Sequence, residues 1–526
     1  MTMRLPLASP ARLLLIALLP LLTHCASAPQ LAGVVPTHAI PPGASTQLDQ
    51  GLLQDLGDQP GVSGVRLIEQ NAMAFAYRAV TAEAAERTLD VQYYIWHDDF
   101  TGKLLAAQLM RAAERGVRVR VLVDDMDARA KHDTFLVADL HPNIEVRIFN
   151  PFYSRSGLLG KVTEYLLRGS RLNHRMHNKA WIADNRVAIV GGRNIGDEYF
   201  GASPHSNFSD LDLVMAGPIV QDVSQSFDQY WNSPDAVPVS RFEGDPPEPG
   251  ALERMIASAR EYRQEAGETP YIAALRDVQK RAELLAQQAP PLRVSKIELL
   301  ADDPSKVGTK ESGVRASRVL SGLARAWGDA RDELLIVSPY FVPGKRGAQG
   351  LVDNVARGMR VAVLTNSLAA TDVAAVHTGY ARYRRDLLRG GVELYEMKRK
   401  PGSIEGRHQI SVTGSSRASL HTKAMIIDRR WVYIGTMNID PRSANLNTEM
   451  GVLVESPELA EQLRDQFERT TSPELSYRVV MEKDEGLVWY DRVDGKERRL
   501  EREPDASVWR RLSVTLLRAI PIESQL

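Results

Sequence analysis

An eighteen-residue pattern occurs twice in this chain, and it constrains the fold more than any other feature. The first copy opens His177-Asn178-Lys179, reaches Asp184 and closes Gly191-Gly192-Arg193-Asn194. The second opens His421-Thr422-Lys423, reaches Asp428 and closes Gly435-Thr436-Met437-Asn438. Every internal spacing agrees. Upstream, Arg115-Gly116 and Arg357-Gly358 begin similar apolar runs, and the distances from Gly116 to His177 and from Gly358 to His421 are 61 and 63 residues. Two units of this size are a duplicated domain, because a solenoid needs at least about three shorter ones. Before each Arg-Gly pair comes an apolar run (Leu89 to Trp96; Leu334 to Val342) and then a helical pattern (Lys103 to Glu114; Ala348 to Ala356). A further apolar run follows at Ile144 to Phe149 and at Val392 to Tyr395. Strand, helix, strand is the βαβ order, so the expected class is α/β, with a mixed, largely parallel sheet in each half.

Alternate residues of a strand share a face, so His177 and Lys179 point the same way, as do His421 and Lys423. The apolar stretches on either side of Asp184-Asn185 and of Asp428-Arg429 predict strand–turn–strand hairpins with Asp at the turn. The closing glycines end the second strand and let the chain bring Asn194 or Asn438 back toward the His and Lys. Each half then presents one imidazole, one ammonium and one carboxamide. The first can attack or carry a proton, and the others donate to anionic oxygens. Two such sets, face to face, would hold one phosphate with a His on either side. A lone HxK is an ordinary half-buried strand; two complete patterns at matching places outweigh that reading.

Composition narrows the class. Hydrophobic residues at 44% and charged residues at 25% exclude a mostly disordered chain, a multi-span membrane protein and a fibrous repeat. The 65 Lys+Arg against 66 Asp+Glu lack the basic excess with which general nucleic-acid binders neutralise phosphates. One cysteine excludes an internal disulfide framework and a Cys-rich zinc site.

The paired pattern resembles the phospholipase D superfamily over roughly residues 65 to 470. Asn366 to Asp372, Arg382-Tyr383 and Trp509-Arg510-Arg511-Leu512 are similar to its bacterial cardiolipin synthase C-type branch. The resemblance implies duplicated phospholipase D-like domains with the active site at their interface. It also implies two in-line displacements through a covalent phosphohistidine, with His177 as nucleophile and His421 as acid/base, although the sequence alone does not assign that polarity. Lys179, Lys423, Asn194 and Asn438 would bind the non-bridging oxygens, and no metal or other cofactor is implied. Asp184 and Asp428 belong to the motif and are grouped with the catalytic set, although their turn position favours a structural role with a basic residue as partner. An ordinary histidine pKa near ~6.5 would make both protonation states available near neutrality. Each His also needs a carboxylate on its other ring nitrogen. Glu449 follows His421 in the second half, and Asp210 or Asp212 serves the first. Asp212 is preferred because the apolar run after it resembles the run after Glu449. The expected substrate is a phospholipid (phosphatidylglycerol, with phosphatidylethanolamine as an alternative) at a membrane surface, handled by a monomer with no nucleic-acid partner. The expected activity is phosphatidyl transfer giving cardiolipin. A hydrolase releasing phosphatidic acid, a nuclease-type phosphodiesterase and a non-enzymatic envelope lipoprotein stand as rivals.

The expected division of the chain is a signal peptide (1–25), a tether (26–64), a first domain (65–240), a linker-helix insertion (241–300), a second domain (301–472) and a C-terminal hairpin with an amphipathic helix (473–526). Arg4 and Arg12 precede an apolar run, Leu13 to Leu22, that is too short to span a bilayer. Cys25 just beyond resembles the lipidation site of a bacterial lipoprotein, although His24 stands where a small residue is usual. Cleavage after Ala28 and an uncleaved anchor are alternatives. Each places the chain in the cell envelope, membrane-anchored and facing away from the cytoplasm. Near the other end, Val508, Trp509, Leu512, Leu516 and Leu517 alternate with arginines at helical spacing, which fits an interfacial helix or one packed on the core. Arg155 to Arg175 has no counterpart in the second half and reads as an amphipathic element contacting anionic lipid or as an ordinary docked helix. Asp124-Asp125-Met126-Asp127 reads as a solvated cluster at a strand end rather than a metal site.

Overall fold

The computed structural model describes residues 31–56, 59, 61–153, 164, 166, 168–242, 244–277, 291–307, 317–399, 418–482 and 486–517. Cys25 and most of the 155–167 stretch lie outside these residues.

Two large sheets repeat one topology. The first runs, edge to edge, Leu292–Val294, Ser63–Ile68, Asp212–Ala216, Val187–Gly191, Ala180–Ala183, Thr88–Tyr93, Arg118–Asp124, Ile144–Phe149 and Ala236–Pro238. The second runs Ile297–Ala301, Met450–Glu455, Trp431–Gly435, Ala424–Ile427, Glu333–Val337, Arg360–Asn366, Glu393–Met397, Ser476–Glu482, Gly486–Val493 and Lys496–Leu500. In each sheet parallel pairing is confined to the three strands of the βαβ units, and every other pair is antiparallel. The parallel share is therefore smaller than expected. Tight turns can join only antiparallel neighbours, and the HxK hairpins impose them.

The central strands Thr88–Tyr93 and Glu333–Val337 are buried along their whole length, as strands covered on both faces must be. The inner faces of the two sheets share one apolar core with helices Ile219–Trp231 and Pro457–Thr471. The outer faces carry separate cores. One lies under helices Asn71–Ala84 and Phe100–Glu114, the other under Gly344–Ala356 and Ala374–Arg389. The chain crosses between sheets at Ser295-Lys296, inside the segment expected as linker. The hairpin with its Asp494-Gly495 turn forms as its sequence suggests, but it extends the second sheet rather than standing apart.

Both HxK hairpins turn through two residues at positive φ: Asp184 and Asn185 (51° and 55°), Asp428 and Arg429 (51° and 52°). The Asp184 carboxylate accepts hydrogen bonds from the backbone N–H groups of Glu86, Arg87 and Thr88. Asp428 accepts from those of Arg331, Asp332 and Glu333. Each thus ties its turn to the start of the central strand, satisfying donors that would otherwise be orphaned. Both sit at the far end of the strand from the His and Lys. This corrects their grouping with the catalytic set, and their partners are backbone amides rather than a basic side chain.

Candidate active site

Each HxK segment lies just ahead of a strand, and its main chain pairs with the opposite half. Asn207–Ser209 runs parallel to Ala418–Leu420, and the N–H groups of His421 and Thr422 both donate to the Ser209 carbonyl (2.8 and 3.1 Å). In the other direction His177 N–H donates to Thr448 O, and Thr448 N–H to Arg175 O (both 2.9 Å). The residue after Ser209 is Asp210 and the residue after Thr448 is Glu449. The backbone pairing therefore delivers each carboxylate to the histidine of the other half. His177 Nδ1 lies 2.8 Å from Glu449 Oε2, and His421 Nδ1 lies 2.6 Å from Asp210 Oδ2. With Nδ1 engaged, Nε2 is the nitrogen left for chemistry.

Two expectations are corrected here. The carboxylates are exchanged between halves, and the one serving His421 is Asp210, not Asp212. The antiparallel register sets Gly191 opposite Asp212 and Gly435 opposite Gly451, so Asp210 is the counterpart of Glu449. Aligning the apolar runs on Asp212 is two residues out of step, a slip that preserves strand face and so leaves no trace in the alternation. Asp212 is occupied elsewhere. Its Oδ2 lies 2.8 Å from Arg78 Nη1 and 3.3 Å from Arg193 Nη1, with all three side chains buried. Gly192 explains the doubled glycine, since a Cβ there would lie 2.2 Å from Asp210 Oδ1. At the matching place Thr436 has a hydroxyl that donates to Glu449.

The two lysines donate back to the carbonyls of their own motif, Lys179 to His177 O (2.7 Å) and Lys423 to His421 O (2.5 Å). Tyr94 meets the His177 ring edge-on at 5.2 Å, while Tyr199 and Phe208 lie 5.3 and 5.0 Å from the His421 ring. Asn194 accepts from Ile95 N–H (3.2 Å) and donates to the Tyr199 hydroxyl (2.9 Å), leaving its second amide hydrogen for a ligand. Buried Asn438 has a side-chain oxygen with no hydrogen-bond partner among the described residues.

Sequence reasoning missed Asp124. It is fully buried, not solvated, and accepts from Arg175 and from Met176 N–H, which fixes the chain immediately ahead of His177. Asp125, also buried, accepts from Phe152 N–H. Of the arginines expected to meet lipid, Arg168 pairs with Glu164, Arg171 with Asp235 and Arg175 with Asp124. These three are engaged within the protein. His174 lies outside the constellation, its Nδ1 against Ser170 O.

Burial sets the electrostatics. It pushes His177 down to about 4, aided by Lys179 and Lys423 and opposed by Glu449. His421 is lowered by burial and by Lys423, against Asp210. Each histidine thus feels the lysines of both halves, as one shared site requires. Burial also lowers Lys179 to about 7 and Lys423 to about 8, against the pull of Glu449 and Asp210. Burial would raise Asp210, but His421, Lys423 and Arg193 outweigh it and hold the carboxyl at about 2. The shifts favour the neutral imidazole at both positions, in place of the even balance expected from an ordinary histidine.

The signs give a pH prediction. His177 loses its proton as pH rises through about 4, and Lys179 loses its charge through about 7. With His421 needed in its protonated form, kcat/KM for an anionic phosphodiester should rise through about 4 as His177 becomes neutral, decline as pH passes the lowered pKa of His421, and decline further as Lys179 loses its charge through about 7. A pH–rate series measures this; a profile still climbing at pH 9 contradicts it.

The family described as "Cardiolipin synthase, PLD-like domain" matches residues 80–231 and again 323–471. The chain is 41% identical over 486 residues to cardiolipin synthase C of Escherichia coli K12, covering 91% of this chain and 99% of that protein. It is 31% identical to an uncharacterized protein of Helicobacter pylori 26695, over 89% of this chain and 90% of that one. Among solved structures, phosphatidylserine synthase of Haemophilus influenzae Rd KW20 superposes with a TM-score of 0.53 at 13% identity, covering 79% of this chain and 87% of that one, which bears on the fold alone.

Proposed function

The chain belongs to the PLD-like cardiolipin synthase family, and from that premise we propose that it is a membrane-associated phosphatidyltransferase that makes cardiolipin through a phosphohistidine. The observation that carries this reading is the pair of exchanged His–carboxylate contacts, which hold two imidazoles beside two buried lysines.

Neutral His177 attacks phosphorus through Nε2, while protonated His421 gives its proton to the departing alcohol oxygen. The phosphatidyl group then rests on His177 as a phosphoramidate. His421, now neutral, takes the proton of an incoming phosphatidylglycerol hydroxyl, whose oxygen attacks phosphorus and releases His177. The proton returns to its starting place. The polarity is the one the family resemblance implies, and each ring has on its Nδ1 a carboxylate whose pKa is lowered. Burial and Lys423 disfavour the charged form of His421. The anionic phosphodiester supplies the missing counter-charge, so substrate binding draws a proton onto His421. Lys179 and Lys423, with Asn194 and Asn438, bind the non-bridging oxygens where charge develops.

The C-terminal helix Val508–Leu517 supports membrane association. Val514, with Ala506 just ahead of the helix, packs on Leu368 and Ala374, while Val508 (74% exposed), Trp509 (79%) and Leu516 (64%) face outward. A Trp and aliphatic side chains on one face, between Arg510 and Arg511, suit the lipid–water boundary. No helix among the described residues is long and apolar enough to cross a membrane. Lipidation of Cys25 would supply an anchor.

Purified protein in mixed micelles with labelled phosphatidylglycerol, with and without phosphatidylethanolamine, tests the reading. Cardiolipin is the expected product. Phosphatidic acid alone would make the protein a hydrolase, and DNA cleavage without any lipid turnover would overturn the proposal.

A further inference from the structure

The duplication fails in a crossover helix, and there the failure leaves a cavity. In the second half the crossover between Arg360–Asn366 and Glu393–Met397 is the long helix Ala374–Arg389, whose Val376, Tyr380, Tyr383 and Leu387 are buried in the outer core. In the first half the equivalent crossover, between Arg118–Asp124 and Ile144–Phe149, contains only short helices, the longest being His132–Ala138. Helix Ala251–Ala266, from the linker segment, lies over the gap against helices Phe100–Glu114 and His132–Ala138. It fills the gap incompletely. A cavity of about 470 Å³ remains, floored by Val119, Val121, Ile144 and Val146 of the sheet. Small residues on the covering helices, among them Ala107, Ser258 and Ala259, keep it open.

The lining of the cavity reaches from the sheet to the loops at one edge of it. Its floor follows the strands from the depth of Val119 and Ile144 toward their C-terminal ends, where Trp96, His97, Lys103 and Lys131 line it. That is the end of the sheet that carries the active site. Tyr94, two residues before Trp96, touches the His177 ring, and His97 N–H donates to Ile195 O beside Asn194 of the repeated motif. Over the strands the lining is apolar, whereas at this end it is polar, with basic groups each paired with a carboxylate. His97 is raised by Glu198 against its burial. Lys131 is bonded to Asp127 and to the Trp96 carbonyl, and Lys103 lies 3.6 Å from Asp98. An apolar slot with a polar, ion-paired rim beside a phosphate-handling site matches a phospholipid held by one acyl chain with its phosphate outside, and the volume lies within the range of small-ligand sites.

We propose that this first-half cavity, roofed by helix Ala251–Ala266, takes one acyl chain of the phospholipid substrate and sets the chain-length preference of the enzyme. The inference rests on the phospholipid reading above. Because the second half has a filled crossover in its place, only one chain is held this way.

Trp96 lines the cavity and reports on it directly. In His421→Ala protein, so that nothing is turned over, phosphatidylglycerol brominated in mid-chain is added in non-quenching micelles. The fluorescence difference between this protein and its Trp96→Phe derivative isolates the Trp96 signal from Trp509 and the rest. Quenching of that signal is expected, and its loss when Ser258→Leu and Ala259→Phe fill the slot. In otherwise native protein the filled variant should keep turnover of dihexanoyl phosphatidylglycerol within about twofold, which shows that it folds. It should lose at least about tenfold of the preference for dioleoyl lipid in kcat/KM. An unquenched Trp96 signal, an unchanged chain-length preference, or quenching by free brominated fatty acid but not by the phospholipid would overturn the proposal. Because quenching is read in an inactive protein, absent turnover in the native enzyme would defeat the functional reading without removing the slot.

Discussion

Replacing either His177 or His421 with Ala should lower lipid turnover by about 1000-fold or more, and replacing both should cost little beyond the worse single change. Each ring does something no neighbour can take over. The lysines nearby are donors whose Nζ atoms are already held by carbonyls, and Asp210 and Glu449 are turned onto the Nδ1 atoms. The two variants should nevertheless differ with an activated substrate. A p-nitrophenyl phosphodiester has a leaving group that departs without a proton, so His421→Ala protein should still transfer the phosphoryl group to His177. It should release about one equivalent of nitrophenol in a burst and then stall, because nothing deprotonates the acceptor. His177→Ala protein should show no burst. A burst in the His177 variant instead would reverse the assigned polarity, and full lipid turnover in either variant would remove the two-histidine scheme. The covalent group should be labile in acid and stable in alkali, as a phosphoramidate is, which separates it from a phosphoserine.

What the sequence disclosed about this site follows the range over which its forces act. The His and Lys of each motif were legible from their close spacing, although the segment lies just ahead of the strand, and Asp184 and Asp428 could be placed at turns because turn chemistry is local. The duplicated topology was legible because each βαβ unit carries its own periodicity. The exchange of Glu449 and Asp210 was not, because it depends on Ser209 and Thr448 pairing with chain more than two hundred residues away. Asp124 was misjudged for a related reason. An acidic cluster at a strand end looks solvated until Arg175 and the Met176 N–H are seen to cover it. The insertion helix Ala251–Ala266 shows charge and periodicity in its sequence but nothing of what it covers, since the gap beneath it is created by the shortness of another crossover.

Asp210 and Asp212 make the sharpest test of the exchanged arrangement, because two carboxylates only two residues apart should fail in opposite ways. Asp212→Asn leaves the guanidinium groups of Arg78 and Arg193 buried without their shared carboxylate. Breaking a buried pair from one side costs about 3–5 kcal/mol, so this variant should unfold at markedly lower temperature or denaturant concentration. Whatever fraction stays folded should retain its chemistry. Asp210→Asn keeps the shape and removes only the charge facing His421. Without that carboxylate the burial and Lys423 that already depress His421 act unopposed, so its pKa falls further and the protonated form becomes scarce. Turnover of a lipid with an ordinary alcohol leaving group should drop by about 100-fold or more, while the melting temperature moves little. The defect should ease as pH is lowered, since acid restores the missing proton, and it should be far smaller for the p-nitrophenyl substrate, which does not need that proton in the first step. Glu449→Gln, acting through His177, should slow both substrates alike. Should Asp212→Asn instead abolish catalysis in a stably folded protein while Asp210→Asn remains active, the carboxylate assignment and the cross-half pairing that produces it would both fall.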